Sequence, residues 1–96
     1  MRINGGIIGE PTLHAQERAR DRYDFALTDI AHARLVMDIL NKSNGAEKLG
    51  SQDYRLSVWY LHTPGGPANA VFDSITNRIV TLLPRDAKYA KGVKLR

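Results

Sequence analysis

The sequence predicts an α+β fold in which two N-terminal helices pack on one face of a three- to four-stranded antiparallel sheet. Two amphipathic segments occupy the first half of the chain, and three extended segments rich in β-branched and aromatic residues occupy the second half. Short links between consecutive elements favour antiparallel neighbours. The 96 residues are 43% hydrophobic and 25% charged, which indicates one folded domain spanning residues 1–96.

The first helix is predicted to begin at Pro11 and Thr12, because proline presets the backbone angle φ and threonine caps a helix with its hydroxyl. It should run to about Tyr23, with small alanines along its buried stripe. The glycine-rich residues 1–10 precede it and are interpreted as a flexible arm or a short edge strand.

The second helix is predicted to open at Thr28 and to stop at residues 43–45, where Asn or Gly can adopt the left-handed cap. Apolar residues wrap most of its circumference, so it should be the most buried element. Val36, Met37 and Leu40 are predicted to face the sheet at the hairpin formed by residues 69–73 and 78–83.

A hairpin of residues 69–73 and 78–83 is predicted to be the segment on which the sheet is built. A third strand over residues 54–61 leads into it through a proline- and glycine-rich turn at 63–67. Residues 45–53 are interpreted as a polar linker, and a fourth strand would come from either terminus. With both helices on one face, the opposite face of the sheet should be open.

The charge of the chain is concentrated in a basic tail, residues 85–96. The tail holds five basic residues and one acid, whereas the bases and acids before it cancel, so it carries the whole net charge of +4. Such a tail indicates either a polyanion partner or a solvated terminus. The chain has no cysteine, which excludes disulfides, thiol nucleophiles and thiolate metal sites.

His14 and Arg18 are the main candidates for chemistry. They lie one turn apart on the polar stripe of the first helix. Imidazole can act as base or acid near neutral pH, and guanidinium can hold a phosphate in a bidentate manner. The alternative is a surface helix face with no such role. The three histidines lie in different elements, so no metal site and no cofactor is predicted, and His32 is interpreted as structural.

The second half of the chain supplies candidate nucleic-acid contacts. An outward Trp59 beside Arg55 would offer a surface for base stacking and phosphate binding, although Trp59 is equally explained as the largest core residue of the sheet. Arg85, Lys88 and Lys91 are the predicted phosphate contacts of the basic tail.

The order of elements resembles that of a known group of small ribonucleases. The segment 13–23, the second helix and three strands ending at 78–84 look like the RelE/ParE and barnase/EndoU/colicin-type group, which includes toxins. The resemblance implies two helices before a twisted antiparallel sheet. Carried over by residue, it implies catalytic roles for His14 and Arg18 and a phosphate or base contact for Thr81.

Three functions are therefore considered. The first is a small metal-independent ribonuclease, toxin-like or phage-related, with RNA as its partner. The second is a non-catalytic inhibitor or accessory module, for which a protein partner would be an antitoxin or an inhibited target and exposed Tyr54, Trp59 and Tyr60 the contacts. The third is a nucleic-acid-binding module that uses the basic tail. No signal peptide or membrane-spanning run is recognised, so a cytoplasmic protein with no membrane partner is expected.

Overall fold

The computed structural model describes residues 2–3 and 6–96, with side chains described from Ile7 onward. Two helices precede a four-stranded antiparallel sheet, so the predicted α+β fold is confirmed. None of the helices in the described ranges is long and apolar enough to span a membrane. In chain order the elements are β1 (Arg2–Ile3), β2 (Gly6–Ile7), α1 (Leu13–Tyr23), α2 (Asp29–Asn41), β3 (Glu47–Ser51), β4 (Leu56–Thr63), β5 (Gly66–Asp73), β6 (Arg78–Leu82), β7 (Tyr89–Ala90) and β8 (Val93–Lys94).

Helix α1 has the boundaries that the sequence predicts. The Thr12 hydroxyl oxygen accepts a hydrogen bond from the backbone N–H of Ala15 at 2.9 Å, which caps the helix start. The same hydroxyl donates to the carbonyl of Val80 at 2.7 Å. Ala15 and Ala19 are fully buried, and their small side chains let α1 approach β6 closely. The cap and the alanines together hold α1 against the edge strand of the sheet.

Helix α2 begins after the cap Thr28 as predicted, but its buried face differs from the prediction. Val36 is fully buried as expected, whereas Met37 is 39% exposed and Leu40 is 40% exposed. Their predicted contact with the sheet is therefore wrong, because the helix instead turns His32, Ala33, Leu35, Val36 and Ile39 inward. A helix that is apolar nearly all round leaves the choice of buried face to its neighbours.

The central sheet has the strand order β3-β4-β5-β6. The predicted hairpin is confirmed as β5 and β6, and Asn77 in the turn between them adopts a left-handed conformation with φ of 52°. The longest pairing, however, joins β4 to β5 over eight residue pairs, from Leu56 opposite Asp73 to Thr63 opposite Gly66. The β4–β5 pair is thus the centre of the sheet, and β6 is an edge.

Residues 45–53 are not the predicted linker, because strand β3 lies within them and pairs with β4. Only Leu49 among its five residues is a large apolar residue, so the sequence carries no strand pattern. An edge strand has one neighbour and exposed side chains, which allows a polar composition. Backbone pairing with β4 therefore decides the structure of this segment.

The sheet face opposite the helices is partly covered, which corrects the prediction of an open face. Strands β7 and β8 form a hairpin in the basic tail, and Val93 of β8 is 7% exposed. A Cβ atom built on Gly50 of β3 would lie 3.0 Å from Val93 Cγ1, so the hairpin packs closely on β3. The basic tail is therefore an ordered part of the fold.

The N-terminal segment forms its own pair of strands, β1 with β2, and does not extend the central sheet. Residues 1, 4 and 5 lie outside the described part of the chain, so the interpretation of residues 1–10 as an arm or edge strand is addressed only for the rest. Ile8 is buried in the core, and the backbone N–H of Gly9 donates to the carbonyl of Asn77 at 3.1 Å. Residues 8 and 9 are thus fixed to the start of β6.

Candidate functional site

One flank of α1 lines the free edge of β6 and carries three basic side chains at intervals of four residues, His14, Arg18 and Arg22. Arg22 Nη1 donates to the carbonyl of Leu82 at 2.8 Å, and this places the flank at the sheet edge. Arg18 approaches only Asp21, at 3.8 Å, and its buried Nε has no hydrogen-bond partner among the described residues. The side chain of His14 is exposed and makes no hydrogen bond with any described residue.

Thr81, the third residue implied by the resemblance, lies on β6 opposite Val71 of β5. Cross-strand partners share a face of the sheet. Val71 is absent from the core that the helices cover, so Thr81 faces the side of the C-terminal hairpin. Its hydroxyl is 3.4 Å from the carbonyl of Leu82, and no hydrogen bond joins it to His14 or Arg18. In the part of the chain that the structure describes, no hydrogen bond or ion pair therefore joins His14, Arg18 and Thr81 to one another.

Arg55 and Trp59 do not form the outward surface that the sequence analysis considered. Trp59 is 6% exposed and packs in the core beneath the helices, and its indole N–H donates to Ser57 Oγ at 2.9 Å. The core explanation of Trp59 is therefore the correct one. The Arg55 guanidinium donates twice to Asp73 Oδ2, at 2.6 and 3.0 Å, so a carboxylate already neutralises its charge.

The predicted contact Arg85 lies at the centre of a cleft that the fold assembles from distant segments. Its guanidinium stacks over the Tyr23 ring, with 4.4 Å from Cζ to the ring centre. It donates to the carbonyl of Gly65 at 2.7 Å and to that of Arg22 at 3.3 Å. These partners are neutral, so the positive charge of Arg85 has no carboxylate beside it.

A second arginine–tyrosine pair faces the first. The Arg96 guanidinium lies over the Tyr60 ring at 4.5 Å and also pairs with Glu47 on the surface. The side-chain amide of Asn69 lies between the two pairs and donates from Nδ2 to the Arg96 carbonyl at 3.1 Å. We call this cavity of about 250 Å³ the arginine–tyrosine cleft; its lining is Tyr23, Tyr60, Pro67, Ala68, Asn69, Arg85 and Arg96.

A second depression, formed by the basic tail, shares two lining residues with the cleft. We call this space of about 490 Å³ the C-terminal groove; it is lined by Arg85, Asp86, Ala87, Lys88, Tyr89, Lys94, Leu95 and Arg96. Arg85 and Arg96 belong to both cavities, and the exposed ring of Tyr89 stands in the groove. Lys88, one of the predicted contacts, lines the groove together with these two arginines. Lys91 lies at the hairpin turn, near enough to Asp53 to affect the pKa of that carboxyl, and is outside the groove.

The pKa of the Tyr23 hydroxyl depends on its burial in the cleft and on the arginines beside it. Burial raises the pKa of its hydroxyl, and the positive charges of Arg85 and Arg22 partly oppose this increase. The hydroxyl therefore stays protonated at neutral pH and donates to the carbonyl of Leu83. That bond fixes the ring on which Arg85 stacks.

The described part of the chain contains no group of three or more His, Cys, Asp or Glu side chains arranged to hold a metal ion. His32 has a structural environment, as predicted, since it is fully buried and its Nε2 accepts the backbone N–H of Ile79 at 2.9 Å. His62 lies on β4 with its ring against that of Tyr60, at 5.3 Å between centres.

Sequence reasoning did not identify Tyr23, Asn69 and Arg96 as site residues. Tyr23 enters the sequence analysis only as the end of the first helix, and Arg96 is one of several bases in the tail. Asn69 gives the clearest sequence signal, because it is a single amide within the run Pro67–Phe72 that is otherwise apolar. A buried amide in a strand needs hydrogen-bond partners, which marks the position as unusual.

Comparisons with protein families, with curated proteins and with solved structures find no match to this chain. The resemblance to small ribonucleases therefore remains an expectation from the order of elements and a few residues.

Proposed function

We propose that this protein binds single-stranded RNA along the arginine–tyrosine cleft and the C-terminal groove. The observation that carries the proposal is the pairing of Arg22 and Arg85 with backbone carbonyls instead of carboxylates. Neither guanidinium has a carboxylate partner among the described residues, and Arg85 presents its positive charge to both the cleft and the groove. Phosphate groups supply the negative charge that such a surface attracts, and they dominate the affinity of nucleic-acid binding.

The aromatic residues of the two cavities favour a single-stranded nucleic acid over a duplex as the ligand. Tyr89 is 66% exposed in the groove, and an exposed ring beside arginine and lysine is the arrangement on which bases stack. A duplex keeps its bases stacked on each other, and the cleft of about 250 Å³ has room for one planar ring. RNA is favoured over DNA by the resemblance to ribonucleases.

Cleavage of the bound RNA is a second candidate activity, and one observation favours it. His14 is exposed, has no protein partner among the described residues, and shares a helix flank with Arg18 and Arg22. An exposed imidazole beside two guanidiniums could remove the 2′-hydroxyl proton while the arginines stabilise the phosphorane. Among the described residues, no second acid–base side chain is hydrogen-bonded or ion-paired to His14 to protonate the leaving oxygen, so binding is the leading proposal.

The binding test is a titration of the full chain with labelled single-stranded RNA of about 12 nucleotides, over salt from about 50 to 200 mM. Arg85→Gln should weaken binding and reduce the log–log salt slope by about 0.7, the change for one lost phosphate contact to a single strand. Arg34→Gln is the matched control, because Arg34 is an exposed arginine on α2, outside the cleft and groove.

An equal loss in both variants would show that only net charge matters, and absence of RNA binding by the wild type would refute the proposal. In the latter case the hypothesis of a protein-binding inhibitor or accessory module takes its place.

Cleavage is tested in the same samples with and without EDTA. His14→Gln should lower any cleavage rate by about 10²- to 10⁴-fold, the usual range for a general acid or base.

A further inference from the structure

The side-chain oxygen of Asn69 is an acceptor without a partner. Asn69 is 5% exposed, and its Oδ1 has no hydrogen bond among the described residues. The orientation of the amide is fixed, because Nδ2 donates to the Arg96 carbonyl and only the NH₂ end can donate. A buried acceptor left unpaired is unfavourable and rare in folded proteins. A ligand that brings an N–H donor to the cleft would remove this defect.

We propose that the arginine–tyrosine cleft holds one nucleobase of the bound RNA, and that Asn69 Oδ1 accepts a hydrogen bond from its exocyclic amino group. The inference rests on the proposed RNA binding and adds a site of base recognition to it. An anion alone does not explain the cleft, since phosphate at neutral pH is mainly an acceptor and would be repelled by Oδ1. Adenine and cytosine both carry an exocyclic amino group that can donate a hydrogen bond. Asparagine recognises the amino group of adenine, and carboxylates accept a hydrogen bond from that of cytosine.

The surroundings of Asn69 suit a planar ring. Tyr60 lies directly opposite Asn69 in the β4–β5 pairing. In this structure the Arg96 guanidinium covers one face of the Tyr60 ring. Arg96 is held there by an ion pair with Glu47 in which both side chains are more than half exposed. Exposed pairs of this kind are weak, so the guanidinium can move aside. A base then stacks on Tyr60 with its amino group directed toward Asn69.

The two arginines would then contact the phosphates on either side of the base. Arg85 stays fixed by Tyr23 and by the Gly65 carbonyl, and Arg96 is free to follow the backbone after it leaves Tyr60. Base recognition and phosphate binding are thus separate parts of one site. Replacing Asn69 should change selectivity between bases, whereas replacing Arg85 should weaken binding to every sequence.

The test compares AMP with N6,N6-dimethyl-AMP, which has the same charge and ring but no amino hydrogen. The full chain is titrated with each, and with inorganic phosphate, by isothermal titration and by the NMR signals of the Asn69 side-chain amide. AMP should bind about 2- to 10-fold more tightly than its dimethyl form, the effect of one net hydrogen bond, and should shift the Asn69 signals. CMP and N4,N4-dimethyl-CMP should behave in the same way.

Asn69→Leu keeps a similar volume and removes the acceptor, so it should abolish the preference for AMP over dimethyl-AMP. Equal binding of the two nucleotides by the wild-type protein would overturn the inference, and so would phosphate that competes as well as AMP. These results need no variant, so a folding defect in Asn69→Leu cannot obscure them. RNA binding that depends on Arg85 but not on the amino group would leave the proposed function in place and reject base recognition alone.

Discussion

The buried imidazole of His32 should make the stability of this protein strongly dependent on pH. His32 is fully buried on α2, and its Nε2 accepts the backbone N–H of Ile79 in β6. Burial lowers its pKa from 6.5 to about 4, and the charge of Arg78 adds to the decrease, while Asp29 and the backbone of Gly9 oppose it. A proton on Nε2 would also destroy the acceptor that holds the Ile79 N–H.

The sign of the effect follows from the two pKa values. Above pH 6.5 the imidazole is neutral in both the folded and the unfolded chain, and the full stability is present. Between pH 6.5 and about 4 the unfolded chain binds a proton that the folded chain does not, so the free energy of unfolding decreases as the pH falls. The total loss should be about 3 kcal/mol, which is a large fraction of the 5–15 kcal/mol of a typical domain.

The assay is urea denaturation at a series of pH values between 7 and 4, with the free energy of unfolding taken from linear extrapolation. His32→Gln keeps an oxygen acceptor for the Ile79 N–H and does not titrate, so its unfolding free energy should be nearly flat over this range. His14→Gln is the control, because His14 is exposed and unbonded, and it should retain the wild-type slope. Burial raises the pKa of the Asp73 carboxyl, but the hydrogen bonds from Arg55 and from the backbone of Ile75 and Thr76 outweigh this effect and lower the pKa below its usual value. The stability that Asp73 contributes to the fold is therefore lost only at lower pH. The same slope in wild type and His32→Gln would refute the reasoning.

Two further predictions concern packing. Gly65→Ala should destabilise the protein by about 3 kcal/mol, because the new Cβ would lie 2.1 Å from the Tyr23 carbonyl oxygen, a backbone atom that cannot move without shifting α1; an unfolding free energy within about 0.5 kcal/mol of wild type would contradict the tight approach of this turn to α1. Leu61→Ala removes a fully buried side chain and should cost about 2–5 kcal/mol, whereas Leu40→Ala, at a side chain 40% exposed, should cost less than about 1.5 kcal/mol. A cost for Leu40→Ala in chemical denaturation of about 2 kcal/mol or more would show that the assignment of the buried face of α2 is wrong.

The sequence by itself determined the two helices and the β5–β6 hairpin, since these depend on local chemistry. Thr12 and Thr28 are cap residues whose hydroxyls bond within their own first turns. Asn77 takes a left-handed conformation that few other residues adopt easily. Such signals depend on residues within four or five positions, so they can be recognised without knowledge of the fold. Runs rich in β-branched and aromatic residues likewise predicted β5 and β6.

Only the tertiary structure decided which surfaces are free. Strand β3 has almost no apolar pattern, and it forms because its backbone pairs with the edge of β4. The basic tail is ordered because Val93 is buried against Gly50. Likewise, Trp59 fits an outward or an inward position in the sequence, and its face is set by the helices packed above it.

The candidate site was predictable only in part for the same reason. Arg18 and Arg85 could be named from charge and position, but the cleft joins Tyr23 of α1 and Asn69 of β5 to the tail, segments far apart in the chain. Their meeting depends on the close approach of the β4–β5 turn to α1 that Gly65 permits. Contacts between distant segments are set by the packing of whole elements, and no local pattern in the sequence encodes them.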